Sequence, residues 1–551
     1  MNYILKSLVI VLIFLTSCAD KTAINAFINK EIITHALANP TTLNPQCHTS
    51  QLADQMVNLM FQPLLQIDIY DGSIRPVLAK SRPILKVNEE GQYEYSFEIR
   101  TNAQWDDGKS ITASDVVFSL KSMFNPHCNN GLRRQHLEQI DRIVIDSLDN
   151  KKFKLIYNEP YNQVEWSLMA LYIIDERKID PNALLAAYDF EKIKAYSLDY
   201  KTKVDWKLKK YAKQFNSMEY QTSDSILLGS GPYIMEQWDA NQFVSFKKKE
   251  NWWGEEEAEE HLFFRANAFK IHFEIIKDWN LTLSTIEQGH LDIVNSVPMD
   301  DFLKMQSNPK LSDIYDFESP SNFVYEYITF NTLDPVLSNR KLRKYIATLI
   351  DKSLMVDKVL HGFGSPIQSM IHPSKSYYNG ALMTSLIKDI KLDPSKPLRI
   401  LYNAGNKRRE KIAHIIADAI KQAGGDAVIE SWDWKVFLEK RKARDFQLLI
   451  SASGQSPAPE VLNQTWHTSS IASGRNFSGF GNHRSDMLID SINLELDEMK
   501  RGEMYKRFQA YVHQEQPYVF LYTLNQRIIK KKAYSEIKTS SIRPNYWLGD
   551  F

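Results

Sequence analysis

Cysteine is scarce in this chain, and long apolar runs are absent after its N-terminus. The 551 residues include three cysteines, at positions 18, 47 and 128. Two distant cysteines, Cys47 and Cys128, are a weak basis for a zinc site, and the sequence leaves open whether they pair. Beyond the first eighteen residues, no segment has the ~18 uninterrupted apolar residues that a membrane-spanning helix needs. We therefore expect the rest of the chain to be tethered to a membrane and not embedded in it.

An excess charge of either sign is also missing. The 67 Lys and Arg residues balance 67 Asp and Glu residues. A protein that binds a phosphate backbone normally carries a basic excess. The composition therefore gives no support to a nucleic-acid partner.

Recognisable catalytic motifs are lacking too. The sequence contains no G-x-S-x-G elbow and no G-x-x-x-x-G-K-[ST] phosphate loop. Its 13 histidines are scattered, and none lies three or four residues from another, so no helical metal-chelating pair exists. Carboxylates are too numerous to identify an acid–base pair by spacing. These absences favour a protein that is not an enzyme and needs no metal or cofactor, while an exported hydrolase remains the alternative from a different class.

The N-terminus has the pattern of an export signal. Lys6 supplies a positive charge, and residues 8–15 form a short apolar core. Leu15-Thr16-Ser17-Cys18 then resembles a bacterial lipobox, whose cysteine becomes lipidated and N-terminal after cleavage. We predict a lipoprotein signal peptide over residues 1–18, lipidation at Cys18 and a tether over residues 19–30. Lipid chains on Cys18 would hold the protein at a bacterial membrane, in the periplasm or on the cell surface.

Periodicity predicts a mixed α/β protein. Residues 93–99 alternate apolar and polar side chains, as a half-buried strand does, and Thr112 with Asp115 has capping-box spacing at the start of a helix. Later, residues 398–402, 427–429 and 446–451 read as strands, with helices predicted over 412–423 and 435–442. This alternation indicates β-α-β units. Since ligands of open α/β sheets sit beyond the carboxyl ends of strands, the loops after Tyr402, Ile429 and Ser451 are candidate pocket loops.

A set of ordered motifs adds a family resemblance. The set comprises Leu43-Asn44-Pro45, Phe61-Gln62-Pro63-Leu64-Leu65, Trp105-Asp106-Asp107-Gly108, Gly229-Ser230-Gly231-Pro232-Tyr233, Asn251-Trp252-Trp253, Glu287-Gln288-Gly289-His290-Leu291-Asp292 and Arg340-Lys341-Leu342-Arg343. In this order they resemble the bacterial extracellular solute-binding proteins of family 5, which include oligopeptide- and dipeptide-binding proteins of ATP-binding-cassette importers. We read the glycine and proline positions among them as scaffold features.

The resemblance implies a periplasmic-binding-protein-like fold of type II, with two hinged lobes and an extra subdomain on the first lobe. On this pattern lobe I comprises residues 31–55, 195–275 and 520–551, the extra subdomain residues 56–194, and lobe II residues 276–519. The implied function is to capture a peptide or peptide-like solute between the lobes, as a monomer. The implied partners are the permease and ATPase subunits of the importer, to which the protein delivers the solute.

The resemblance also implies ligand-binding residues. Trp434 matches a family tryptophan that lines the pockets for the ligand's side chains. Arg441 matches a basic position near the ligand's carboxyl end. The family's backbone-contacting stretch corresponds to Thr49-Ser50-Gln51. Tyr522 lies in a C-terminal strand that is expected near the ligand.

The sequence departs from the family pattern at the position that binds the ligand's amino group. Peptide binders of this family carry a tryptophan and then an aspartate after the strand that corresponds to residues 446–451, and the aspartate pairs with the peptide's α-amino group. Here Ser453 and Ser456 occupy those positions, and Glu460 is the nearest downstream carboxylate. The ligand could therefore be a sugar derivative, a metal chelate or another small molecule. A surface adhesion or signalling receptor with the same fold also stays open.

Overall fold

The computed structural model describes residues 30–198, 205–259, 262–383 and 390–551. The predicted signal peptide, Cys18 and nearly all of the predicted tether lie outside these ranges. The chain divides into two compact units. Unit 1 contains residues up to Glu159, Val164–Glu318 and Arg527–Phe551, and unit 2 contains Pro160–Gln163 and Ser319–Gln526.

Unit 1 contains a seven-stranded mixed sheet in the order β12-β19-β11-β1-β10-β9-β8, a two-stranded sheet β2-β3 and a four-stranded sheet β4-β5-β7-β6. Its strands are β1 (Glu31–Ala36), β2 (Leu65–Ile67), β3 (Ile74–Pro76), β4 (Ile84–Val87), β5 (Tyr93–Glu98), β6 (Arg142–Ile145), β7 (Lys152–Tyr157), β8 (Tyr233–Asp239), β9 (Phe243–Lys248), β10 (Lys270–Ile275), β11 (Ile293–Val294), β12 (Tyr315–Glu318) and β19 (Ile528–Lys531).

The helices of unit 1 are α1 (Gln51–Met60), α2 (Ala113–Phe124), α3 (Gly131–Arg134), α4 (Val164–Leu168), α5 (Glu176–Ile179), α6 (Phe190–Leu198), α7 (Trp206–Phe215), α8 (Met218–Thr222), α9 (Trp279–Glu287), α10 (Met299–Gln306) and α11 (Pro309–Ile314). The predicted strand over residues 93–99 is β5. The predicted capping box starts α2: the Asp115 carboxylate accepts from the backbone N–H of Thr112 at 2.7 Å.

Unit 2 is built on a six-stranded mixed sheet in the order β14-β18-β13-β17-β15-β16. Its strands are β13 (Ser321–Phe330), β14 (Gly364–Pro366), β15 (Leu398–Asn403), β16 (Ala427–Trp432), β17 (Leu448–Gly454) and β18 (Tyr518–Asn525). Its helices are α12 (Arg340–Leu349), α13 (Lys352–Leu360), α14 (Lys407–Gln422), α15 (Trp434–Ala443), α16 (Asn463–Trp466), α17 (Ser470–Ser473), α18 (His483–Leu494) and α19 (Glu498–Glu515).

The predicted β-α-β units are present in unit 2. Strand β15 pairs in parallel with both β16 and β17. Helix α14 begins after Asn406, whose side chain accepts from the backbone N–H of Arg409, and buries Ile412, Ile416 and Ile420 against the sheet. The fold class predicted from the sequence, mixed α/β, is confirmed.

The division into units differs from the lobe boundary drawn from sequence. That boundary put residues 276–318 in lobe II, whereas the structure places them in unit 1. The reason is strand pairing: Ile293 of β11 lies opposite Thr34 of β1, and β12 pairs with β19 near the C-terminus. These partners are more than 200 residues apart, so local sequence pattern could not reveal them.

Candidate ligand-binding residues

The carboxyl ends of three parallel strands meet at one edge of the unit 2 sheet. Asn403 at the end of β15 lies opposite Trp432 at the end of β16, and β17 runs in parallel on the other side of β15. We call this the carboxyl edge, formed by residues 403–409, 432–434 and 451–456. It contains the loops that the β-α-β pattern predicted as pocket loops.

Trp434 is exposed at this edge. It is the first residue of α15, after Asp433, whose side chain accepts from the backbone N–H groups of Lys435 and Val436. The indole stacks on Phe437 with ring centroids 5.5 Å apart, yet 57% of the residue is exposed. Trp432, which sequence reasoning did not select, is 42% exposed beside it. Both tryptophans are therefore partly open to solvent at the carboxyl edge.

Arg441 lies two turns further along α15, with its guanidinium 4.4 Å from the centroid of the Phe477 ring. Its Nε is buried and has no hydrogen-bond partner in the described part of the chain. Burial lowers the pKa of Arg441, and the nearby positive charges of Arg409 and Arg475 lower it further. An arginine remains protonated even so, which leaves a cation poor in internal partners.

The two serines at the departure from the family pattern differ in their surroundings. Ser453 is half-buried on β17, opposite Tyr325 of β13. Ser456 follows the strand and is exposed. Neither hydroxyl can replace the charge of an aspartate beside a ligand ammonium.

Glu460 already has partners within the chain. Its carboxylate forms an ion pair with the Lys375 ammonium and accepts from Tyr377 Oη at 2.9 Å and from Gln455 Nε2 at 3.0 Å. Lys375 also donates to the carbonyl of Ala458 at 2.6 Å. Sequence reasoning identified Glu460 as the nearest carboxylate but had no means of finding Lys375, which lies 85 positions away.

Tyr522 is completely buried, and its hydroxyl donates to Glu326 Oε2 at 2.7 Å. Burial and the neighbouring Glu326 charge raise the pKa of Tyr522 well above its usual value. Glu326 itself accepts from Arg408 at 3.0 and 3.1 Å and from Arg409 Nε at 3.3 Å. The tyrosine thus supports a buried polar cluster, and a contact between Tyr522 and ligand stays a prediction.

In unit 1, Thr49, Ser50 and Gln51 are all exposed at the start of α1. Ser50 is the N-cap, and its hydroxyl accepts from the backbone N–H of Ala53 at 3.2 Å. Their role as ligand contacts also stays a prediction.

A polar cluster that sequence reasoning missed supports this stretch. The Asp54 carboxylate lies 2.9 Å from His48 Nε2 and 3.2 Å from Arg133, and Arg133 Nε donates to the His48 carbonyl at 3.1 Å. Although burial opposes it, hydrogen bonds and charge from His48 and Arg133 lower the pKa of Asp54. The cluster fixes the backbone that precedes Thr49.

Three of the family motifs of unit 1 lie close together. The Lys249 ammonium, beside Asn251, pairs with Asp106 at 2.6 Å and donates to the Gly229 carbonyl. The indoles of Trp252 and Trp253 both donate to the Ser230 carbonyl, at 2.7 and 2.9 Å. These contacts join three distant segments, as scaffold residues do.

Within the described ranges, no group of His, Cys, Asp and Glu side chains is arranged to hold a metal ion. Nor does any described helix have the length and apolarity to cross a membrane. Cys47 and Cys128 carry free thiols.

The fold and the ordered motifs define a bacterial solute-binding protein. The chain belongs to the bacterial extracellular solute-binding proteins, family 5, whose profile matches residues 73–473. Known relatives of this chain are named as binding proteins and not as enzymes.

Three known proteins illustrate the similarity. Oligopeptide-binding protein AppA of Bacillus subtilis (strain 168) is 21% identical over 562 residues, with coverage of 95% of this chain and 93% of AppA. Heme-binding protein A of Haemophilus influenzae is 21% identical over 486 residues, with coverage of 84% of this chain and 81% of that protein. The unliganded open form of the periplasmic murein tripeptide-binding protein MppA has a TM-score of 0.71 at 18% identity, with coverage of 92% and 93%.

Proposed function

We propose that this chain is the substrate-binding lipoprotein of an ATP-binding-cassette importer, and that it has no catalytic activity. It captures a peptide or peptide-like solute outside the cytoplasm and delivers it to the permease. The observation that carries the proposal is the family membership over residues 73–473. Cys18 anchors the protein to the membrane, so that the soluble part stays close to the importer.

The exposed residues of the carboxyl edge support a ligand-binding role. Trp432 and Trp434 offer aromatic surface that can cover an apolar part of a solute. Arg441 offers a cation with a buried, unpaired Nε. Exposed aromatic surface, together with a cation two turns further along α15, is suited to a small molecule with both apolar and charged parts.

A second candidate is a binding protein for a non-peptide solute. It is favoured by Ser456 in place of the usual aspartate and by the internal pairing of Glu460. The related heme-binding protein A shows by its name that the family is not limited to peptides.

Native mass spectrometry of the chain after Cys18, with release and identification of co-purified solute, tests the proposal. A heterogeneous set of short peptides is the expected result, and the same protein after solute removal is the control. A single non-peptide mass would overturn the peptide assignment and keep the transport role. If the protein is empty, a thermal-shift screen decides, because a solute that binds only the folded state raises the melting temperature. Turnover of any bound solute would contradict the non-catalytic role.

A further inference from the structure

The backbone on both sides of Cys47 is bound to helices α2 and α3 of unit 1. Before the cysteine, the side-chain amide of Gln46 donates to the Ser119 carbonyl of α2 at 2.9 Å. After it, the His48 carbonyl accepts from Arg133 Nε of α3 at 3.1 Å. Cys47 therefore lies beside the loop that joins these two helices.

Cys128 belongs to this loop. Its backbone N–H donates to the Asn125 carbonyl at 3.1 Å, and the residue is 7% exposed. A negative charge on Cys47 raises the pKa of Cys128, and charges on both cysteines raise the pKa of the buried Tyr211. Because electrostatic effects weaken with distance, the two thiols lie near each other and near the same tyrosine.

Neither thiol is suited to react in the folded protein, where both are free. Burial raises the pKa of Cys47 to about 12, and it raises the pKa of Cys128 well above its usual value. The thiolate is the reactive form of cysteine, and burial disfavours it at both positions. Neighbouring buried cysteines in an exported protein are instead suited to a structural disulfide that forms while the chain folds.

We propose that Cys47 and Cys128 form a disulfide, which joins the segment before α1 to the loop between α2 and α3 as the exported chain folds. The inference rests on one part of the proposed function, the export of the chain from the cytoplasm. The bond closes a long loop of the chain and so restricts the unfolded state. It also holds the backbone next to residues 49–51, the stretch predicted to contact the ligand.

The oxidant is the disulfide of an exported thiol–disulfide oxidoreductase, and oxidised glutathione replaces it in vitro. The thiolate of one cysteine attacks the oxidant's S–S bond and releases one oxidant thiol. The second thiolate attacks the mixed disulfide, forms the bond between Cys47 and Cys128 and releases the other oxidant thiol. Two electrons pass from the two cysteines to the oxidant, and the two protons of their thiols are taken up by the two oxidant thiols.

Refolding of the chain after Cys18 tests the pairing separately from export. The reduced, unfolded chain is refolded in a glutathione redox buffer, unfolded again and alkylated with N-ethylmaleimide. Mass spectrometry is expected to show a monomer without adducts, whose digest contains a peptide pair linked through Cys47 and Cys128 that separates on reduction. Two N-ethylmaleimide adducts, a glutathione adduct or a link between two chains would overturn the inference.

A matched variant moves the second thiol to the other end of α2. Cys128→Ser combined with Ser147→Cys keeps two thiols. Ser147 is exposed in the hairpin between β6 and β7, and Asn150 of this hairpin accepts from the N–H of Ala113, the first residue of α2. This variant is expected to form no internal disulfide in the same buffer. If it paired as readily as the parent protein, pairing would not depend on the contacts described above, and the inference would be wrong.

The same mass measurement on protein exported by a bacterial host separates this inference from the proposed function. The linked peptide pair is expected in the protein recovered outside the cytoplasm. If both thiols are free while a solute co-purifies, the inference fails and the proposed function stands. If the peptides are linked but no solute is released or bound, the inference stands and the proposed function fails.

Discussion

At the scale of single residues, burial decides the charge state of His372. The residue is 2% exposed, its ring stacks on Phe323 with centroids 4.3 Å apart, and Nδ1 lies 2.7 Å from Ser374 Oγ. Burial lowers its pKa from 6.5 to about 4, and the nearby positive charge of Lys375 acts in the same direction. The folded protein therefore holds a neutral imidazole at neutral pH.

His372 should make unit 2 sensitive to acid. As the pH falls below 6.5, His372 binds a proton in the unfolded state, whereas in the folded state it stays neutral until about pH 4. The protein therefore loses stability between pH 6.5 and about pH 4. The gap corresponds to about 3 kcal/mol. Between pH 7 and pH 4, the free energy of unfolding of His372→Gln is expected to fall by about 3 kcal/mol less than that of the parent protein. Urea unfolding at each pH measures this.

The control is His414→Gln, since His414 is exposed on α14. The free energy of unfolding of this variant should change with pH as that of the parent protein does. If His372→Gln lost as much free energy of unfolding as the parent, the burial argument would be wrong.

The residues of the candidate site were only partly accessible to sequence reasoning. Trp434 and Arg441 were named from the family resemblance, and a ligand-binding role stays a prediction for both. The internal pairing of Glu460 with Lys375 could not be named, because only the folded chain brings those two positions together. The same holds for Glu326, which sits in the middle of a strand and meets two arginines from a later helix.

At the scale of elements, the loop at residues 229–231 packs directly on the end of α1. A methyl group built on Gly229 would lie 2.1 Å from the Met60 carbonyl oxygen, and one on Gly231 would lie 2.7 Å from the Leu59 carbonyl oxygen. The Gly231 N–H donates to the Met60 carbonyl at 2.7 Å. Because these neighbours are backbone atoms, the contact cannot be relieved by a side-chain rotation.

Gly229→Ala should therefore destabilise unit 1 by about 2 kcal/mol or more, as overpacking does. Thermal or urea unfolding of the purified variant measures this. Gly454→Ala is the matched control, because a methyl group there meets no atom within 4 Å, and it should melt like the parent protein. An unchanged stability for Gly229→Ala would show that the loop can move away from α1.

The predicted β-α-β elements of unit 2 are present, with ends that are shifted by a few residues. The helix predicted over 412–423 starts at Lys407, since Asn406 caps it earlier than the apolar pattern begins. The strand predicted over 446–451 extends to Gly454, because β13 pairs with it as far as Val324. The local sequence pattern identifies a helix or a strand, and the residues that cap it or pair with it determine where it begins and ends.

At the scale of the whole molecule, the proposed membrane anchor rests on Cys18, which lies outside the described residues. Metabolic labelling with an alkyne fatty acid should label the parent protein and leave Cys18→Ser unlabelled. Cys47→Ser serves as the control and should keep the label, since Cys47 belongs to the folded part of unit 1. A labelled Cys18→Ser protein would contradict lipidation at this position.

The sequence by itself determined the mixed α/β class, the solute-binding family and the β-α-β order of unit 2. These depend on local periodicity and on motifs in a preserved order, which are properties of the linear chain. The tertiary structure alone decided which residues form each unit, as shown by β11 and β12 joining the sheet of β1 and β19. It also decided which charges pair inside unit 2, because Glu460 meets Lys375, and Glu326 meets Arg408 and Arg409, only after folding.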